Sequence, residues 1–250
     1  MVAKEQTGRV VENRILASIL PEERERLLTQ MEHVRLPLGK TIIAPEERIP
    51  YVYFPTGALI SLVSLMEDGK AVEAGVIGCE GMAGLPIVLG GGTTPMRSVV
   101  QIEGSAYKMR ADAVKAEFDR GGALQQVLHR YMHALLIAFS QSAACNRLHP
   151  VEGRLTRWLL IASDGVQSET LPLTHEYLAA MLGMRRAGVT EACVLLRNKG
   201  FIDYRRGQIH LTDREGLEGE ACECYLIVKK EFDRVLALVE SHAKRSRLEG

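Results

Sequence analysis

Apolar residues change their spacing several times along the chain, and each change marks a part. From Ile15 to Met31 apolar and charged groups alternate at helical spacing, with Ile15, Ile19, Leu20, Leu27, Leu28 and Met31 on the apolar side. Pro21 opens a second short helix, and the acids of PEERERLL sit where a helix N-terminus favours negative charge. From Val34 the period shortens. VRLPLGKTIIAP and YVYFPTGALISLVSLMEDGKAVEAGVIG are β-branched and aromatic runs punctuated by glycine and proline, with a hairpin turn expected at Glu67-Asp68-Gly69-Lys70. A glycine-rich stretch, Gly78 to Gly92, leads into one more strand run at Arg97. The pattern predicts a compact antiparallel β-unit over residues 34–109.

Helical spacing then returns. Arg110 to Asp119 reads as a short helix. Leu124 to Arg147 reads as a long one, with Leu124, Leu128, Tyr131, Leu135, Phe139 and Ser142 near heptad spacing. Such a helix between two domains suggests a dimer seam; the alternative is a helix packed on its own β-unit. His149-Pro150 ends it, because a residue before proline avoids helical geometry. Val151 to Ser163 forms the next helix, with Leu155, Trp158, Leu159 and Ala162 on one side, and Asp164-Gly165 breaks it.

The stretch Leu171 to Arg206 carries the most specific pattern. Thr174 is an N-cap for a helix over residues 176–182, and Gly183 supplies a tight turn. A second helix over residues 185–199 has Val189, Ala192, Cys193 and Leu196 at i, i+3, i+4 and i+7. Arg185, Arg186, Thr190, Glu191 and Arg197 lie off that stripe, and arginine can bond guanine O6 and N7 in bidentate fashion. Asn198-Lys199-Gly200 closes the helix. Phe201-Ile-Asp-Tyr and Gln208-Ile-His-Leu then read as two strands around Arg205-Arg206-Gly207, a wing with a basic tip. Between Leu171 and His210 six basic residues face three acids, so this stretch is net positive in a chain of formal net charge +0. A helix-turn-helix followed by a basic wing points to double-stranded DNA. Gly188, inside the second helix, costs on the order of 1 kcal/mol against alanine.

Composition narrows the class. Hydrophobic residues make up 46% and charged residues 25%, ordinary for a globular protein. No run approaches the roughly 18 apolar residues of a membrane span, and the N-terminus lacks the apolar core of a signal peptide. The expectation is a cytoplasmic protein with no membrane partner. The five cysteines are scattered, and Cys222-x-Cys224 stands in the sequence as a lone pair without a second, so neither a disulfide framework nor a metal site is expected. His129 and His133 read as a solvated or interface pair, and Cys193 as a small buried hydrophobe. GVIGCEG lacks the lysine of a phosphate-binding loop, and no nucleophile–base–acid set is evident, so no catalytic residues and no enzymatic activity are expected.

These features resemble the Crp/Fnr superfamily of bacterial transcription regulators over nearly the whole chain, most strongly in LTHEYLAAMLGMRRAGVTEACVLLRNKGFIDYRRGQIHLTD. The resemblance implies an α+β fold. Helices at residues 1–33 precede a cyclic-nucleotide-binding-like β-roll at 34–120. A dimerisation helix and hinge follow at 121–150, then a winged helix-turn-helix domain with a C-terminal helix at 151–250. It implies a homodimer reading a palindromic site, with RNA polymerase as a further partner; a ligand-binding module acting through a protein partner is the alternative.

A familiar family pattern opens the recognition helix with Arg-Glu and places an arginine one turn later. Here those positions hold Arg186, Ala187 and Glu191, so the target sequence should differ. Thr174, His175, Arg185, Arg205 and Arg206 fall where backbone contacts are made, and Thr190 and Glu191 face the groove. For an effector, the family's phosphate-binding Arg-Ser pair is matched by Arg97-Ser98, and its ribose-binding Glu by Glu80, which follows Cys79 in place of glycine. Cyclic nucleotide is therefore possible but not favoured, and the effector stays unknown. No iron–sulfur cluster is expected, since the N-terminal cysteine set is missing. A C-terminal helix is expected with Leu226, Phe232, Leu236 and Val239 inward, and the basic tail from His242 to Arg247 is expected to be mobile.

Overall fold

The computed structural model describes residues 12–246. Readings of the Val239 side chain and of the tail from His242 lie outside the described residues and side chains, as do residues 1–11. Asn13 caps the first helix, α1 (Arg14–Ala17), by accepting from the Ile15 and Leu16 amides. Its own amide donates to the Pro55 and Gly81 carbonyls, so this fully buried side chain ties α1 to the β-unit. Helix α2 (Pro21–Leu28) follows with its proline in the first position.

Strand β1 (Met31–Leu36) begins three residues before the expected change of period. Met31 is a ladder partner of Met109, and that pairing overrides the helical spacing of its side chain. The expected boundary at residue 33 therefore cuts through β1. The roll continues with β2 (Thr41–Ile43), β3 (Tyr51–Pro55), β4 (Leu59–Leu65), β5 (Ala71–Ile77), β6 (Arg97–Ile102) and β7 (Gly104–Arg110). Two antiparallel sheets form, in orders β1-β7-β3 and β2-β6-β4-β5. Leu36, Ile60, Leu62, Ile77, Val100 and Ala106 fill the space between them. The β4–β5 hairpin turns at Asp68-Gly69, as expected, with Gly69 at φ 81° and the Asp68 carboxylate accepting from the Lys70 amide.

Helix α3 (Ala111–Asp119) leads to α4 (Ala123–Leu148), whose first amides at Ala123 and Leu124 donate to the Glu23 carboxylate. Of the six residues read as a seam, Leu124, Leu128, Tyr131 and Leu135 are buried against the chain's own α1, α3 and roll, and Phe139 and Ser142 are half-buried. The heptad spacing was real, but its apolar stripe is spent inside the protomer. A different stripe faces outward: His129, His133, Leu136, Ser140, Ala143 and Arg147 are all exposed.

His149 is extended before Pro150, and α5 (Val151–Val166) begins the second unit. It continues through β8 (Thr170–Leu171), α6 (His175–Met181), α7 (Arg186–Asn198), β9 (Ile202–Arg205), β10 (Gln208–Leu211), α8 (Arg214–Glu220) and α9 (Glu223–Ser246). The C-terminal helix is thus two, broken at Ala221, whose backbone is extended. The break sets the phase of α9 so that Tyr225, Val228, Val235 and Leu236 turn inward, while Leu226 is 41% exposed, contrary to expectation. Helix α9 runs back along α4 to the N-terminal helices. There Arg14 pairs with Asp233 at 2.9 Å and Ser18 Oγ donates to the Leu236 carbonyl.

The two units share a core. Leu59 and Ile102 of the roll pack with Leu155, Trp158, Leu159 and Leu171 of the second unit. Each such leucine contributes roughly 1.5–3 kcal/mol by leaving water. Gly78 and Gly165 meet at backbone distance: a Cβ on Gly78 would lie 2.3 Å from the Gly165 Cα, and the Cys79 amide donates to the Gly165 carbonyl. Only glycine permits that approach.

Candidate nucleic-acid interface and sensor cavities

The helix-turn-helix forms because local signals agree with packing. Thr174 Oγ1 accepts from the Tyr177 amide and caps α6. Gly183 takes φ 60° in the turn. Helix α7 buries Val189, Ala192, Cys193 and Leu196, the expected stripe, and starts at Arg186 with Arg185 in the cap position. Burial pushes the Cys193 thiol up to about 11, the behaviour of a small core hydrophobe. Strands β9 and β10 form the wing, joined by Arg206 and Gly207, both at positive φ.

One face gathers most of the predicted residues. Arg185, Arg186 and Glu191 are exposed, and Thr190 is half-buried. His175 Nδ1 lies 3.2 Å from Thr190 Oγ1, and its ring stacks on Tyr204 of the wing at 4.4 Å between centroids. His175 therefore locks the first helix, the recognition helix and the wing together. Desolvation, with the nearby Arg186 charge second, lowers its pKa and keeps it neutral at physiological pH. The six cations are not equivalent. Among the described residues, Arg185, Arg186 and Arg206 have no ion-pair partner. Arg205 sits 2.7 Å and Arg197 3.5 Å from Asp203, and Lys199 pairs with Glu220. The recognition helix also exposes Val194, an apolar contact surface for a groove that the sequence reading did not single out.

The effector residues do not converge. Arg97 and Ser98 are consecutive on β6, and successive strand residues face opposite sides. Ser98 lines a cavity of about 280 Å³ between the roll and α4; Arg97 does not. Among the described residues, that cavity is walled by Leu62, Met82, Met132, Leu136 and Phe139 and others, with Thr94 and Ser98 as its polar side chains and no charged one. A phosphate placed there would find no counter-charge. Glu80 instead lines a second cavity, of about 160 Å³, at the junction of β5, α4, α5 and α9. It accepts from the Gly78 amide, and burial raises its pKa. Glu80 and Ser98 thus line different cavities, and Arg97 lines neither.

The second cavity exposes a residue that the sequence reading passed over. Glu73 of β5 accepts from Ser61 Oγ at 2.6 Å and from Trp158 Nε1 at 2.7 Å, joining roll to α5. Desolvation pushes its pKa up to about 7, against the pull of those two donors. Alternation along β5 gave no signal for it, because its partner comes from another domain.

In space the Cys222-x-Cys224 pair is not alone. Cys145 and His149 reach it from the end of α4, and the four ligand atoms all lie within 4.8 Å of one another. The i, i+4 spacing of Cys145 and His149 was the available signal.

No helix among the described residues is long and apolar enough to cross a membrane. Residues 153–220 match the family model for a Crp-like helix-turn-helix domain. No curated protein matches the chain. Among solved structures, the chain is similar to a CRP-family transcriptional regulator of Thermus thermophilus, at 21% identity and TM-score 0.62 over 75% of this chain and 96% of that one. FixK2 of Bradyrhizobium japonicum aligns at 15% identity and TM-score 0.62 over 77% and 98%. The c-di-GMP-responsive global regulator CLP of Xanthomonas campestris aligns at 16% and 0.57 over 77% and 99%. At these identities the likeness is one of fold, and the family model adds the DNA-binding unit. With its β-roll and long helix the chain shares the fold of these regulators, and residues 153–220 form a Crp-like helix-turn-helix domain.

Proposed function

We propose that the protein acts as a homodimer that reads a two-fold symmetric DNA site, each protomer placing α7 in a major groove. The observation that carries this is the free cationic start of α7: Arg185 and Arg186 are exposed, beside His175 and the wing, and have no ion-pair partner among the described residues. Arg186 is the base-reading residue, suited to guanine. Thr174, His175, Arg185, Arg205 and Arg206 serve the phosphates, which position without specifying. Ala187 and Glu191 replace an acid and an arginine, so the preferred sequence departs from the familiar family site.

The dimer forms along the outward stripe of α4. His129, His133, Leu136, Ser140, Ala143 and Arg147 recur at alternating four- and three-residue steps, and Ser140 and Ala143 allow close helix approach. Half-sites then lie about one helical turn, roughly 34 Å, apart. The roll biases the placement of the DNA-binding units through α4 and the Glu73 joint, a population shift between arrangements of the same parts. A cytoplasmic site of action, RNA polymerase as partner and the absence of enzymatic activity belong to the same reading.

Selection from random duplex DNA, with the mass of the complex measured, tests it. Enrichment of an inverted repeat bound by two chains is expected. A single half-site bound by one chain, or no enrichment, overturns it.

A further inference from the structure

We propose that Cys145, His149, Cys222 and Cys224 bind one thiophilic divalent cation of the zinc class, clamping the hinge between the long helix and the DNA-binding unit. The four donors come from two places: the last turn of α4 and the residue after it, and the junction of α8 with the first turn of α9. Cys145 Sγ lies 3.6 Å from Cys222 Sγ, and Cys224 Sγ lies 3.4 Å from His149 Nδ1. Zinc–sulfur bonds of about 2.3 Å and zinc–nitrogen bonds of about 2.0–2.1 Å give tetrahedral edges of roughly 3.8 Å between sulfurs and roughly 3.6 Å between sulfur and nitrogen. The side chains thus already stand near the corners of one metal tetrahedron. Iron–sulfur clusters interpose inorganic sulfide and hold their outer thiolates further apart, so four donors within 4.8 Å fit a single ion.

The surroundings fit a metal centre too. His149 Nε2 is 3.5 Å from the Glu223 carboxylate, the carboxylate–histidine arrangement that orients a ligand through its other nitrogen. Gln141 Nε2 donates to Cys224 Sγ at 3.2 Å, a hydrogen bond that favours thiolate. Three thiolates and a dication leave one negative charge. The buried Arg157, bonded to Ser142 one turn before Cys145, lies close enough to offset it. Cys145 and Cys224 are fully buried, which suits a closed structural site.

Position gives the site its consequence. His149 and Pro150 are the connection between α4 and α5, so the cation would fasten this connection to the junction of α8 and α9. The clamp fixes the angle at which the DNA-binding unit leaves the long helix. Thiolate oxidation or metal loss would free it, without touching the DNA-reading residues.

Cobalt titration of the full chain, stripped of metal under reducing conditions, tests the proposal. Expected are saturation at one equivalent, thiolate-to-cobalt charge transfer, intense tetrahedral ligand-field bands, and displacement by zinc. The Cys222→Ser/Cys224→Ser variant should bind cobalt at least tenfold more weakly, while Cys193→Ser keeps the wild-type spectrum. Weak six-coordinate bands, no saturation at one equivalent, or iron released together with sulfide from the protein as isolated would each overturn it. The wild-type titration decides the matter even where the double variant does not fold.

Discussion

Replacing Glu73 with glutamine removes a proton equilibrium from the joint between the roll and the DNA-binding unit while keeping its shape. The Glu73 carboxyl accepts from Ser61 at 2.6 Å and from Trp158 at 2.7 Å. Glutamine can still accept from the indole through its oxygen and donate to the hydroxyl through its nitrogen. The folded protein holds the Glu73 proton up to about 7, whereas the ordinary value is 4.5. At 1.36 kcal/mol per unit, that difference amounts to about 3 kcal/mol. Its sign follows from which state binds the proton more tightly. The folded state does, so the contribution is fully present below about pH 4.5, declines as pH rises toward about 7, and is absent above. About 2.5 kcal/mol of the change falls between pH 5 and pH 8. Urea unfolding of wild type and Glu73→Gln across that range isolates it, because every other titrating group is common to both. The stability difference should shift by about that amount in favour of the variant as pH rises. Parallel pH profiles would refute the assignment of a protonated carboxyl to this joint.

Other expectations follow from single contacts. Among the described residues, a Cβ at Gly188 would meet only Val151, at 4.0 Å. Gly188→Ala should therefore raise thermal stability by about 1 kcal/mol, and a weakened affinity for DNA in the same variant would show that the glycine serves close approach to the duplex. Gly78→Ala drives a methyl into the Gly165 backbone. It should cost about 1–3 kcal/mol as an overpacked contact, read as a lower unfolding midpoint and faster proteolysis near His149-Pro150. Arg206→Ala should weaken all DNA similarly and shallow the salt slope by about 0.9; Arg205→Ala should do less, because Asp203 at 2.7 Å already offsets part of its charge. Arg214 binds Asp164, Glu218 and Tyr225 together. Arg214→Ala should lower unfolding stability by about 2 kcal/mol.

The helix-turn-helix was legible because its determinants are local: the Thr174 cap, the Gly183 turn and the Val189–Leu196 stripe are each written within one helical turn of where they act. The β-roll was legible in outline, with Met31 misplaced because a ladder partner 78 positions away decides its state. Heptad spacing identified α4 but not which stripe meets its own protomer, since both stripes share one period. The placement of Glu80 and Ser98 on two separate cavities was not legible, because it depends on how α4, α5 and α9 pack on the roll. Glu73 and the Cys145–His149 partners of Cys222 and Cys224 were hidden for another reason. Their meaning depends on contacts across at least 75 residues, and residue type alone does not show them.

The central claim is that DNA is read through the exposed start of α7, with Arg186 touching a base. The most direct measurement is the binding of wild type and Arg186→Ala to every single-base variant of the selected site at fixed salt. The account predicts that discrimination at one symmetric pair of positions collapses, by about 1–3 kcal/mol per position, while the others keep their preferences. Retained discrimination at every position, with only a uniform loss of affinity, would contradict it.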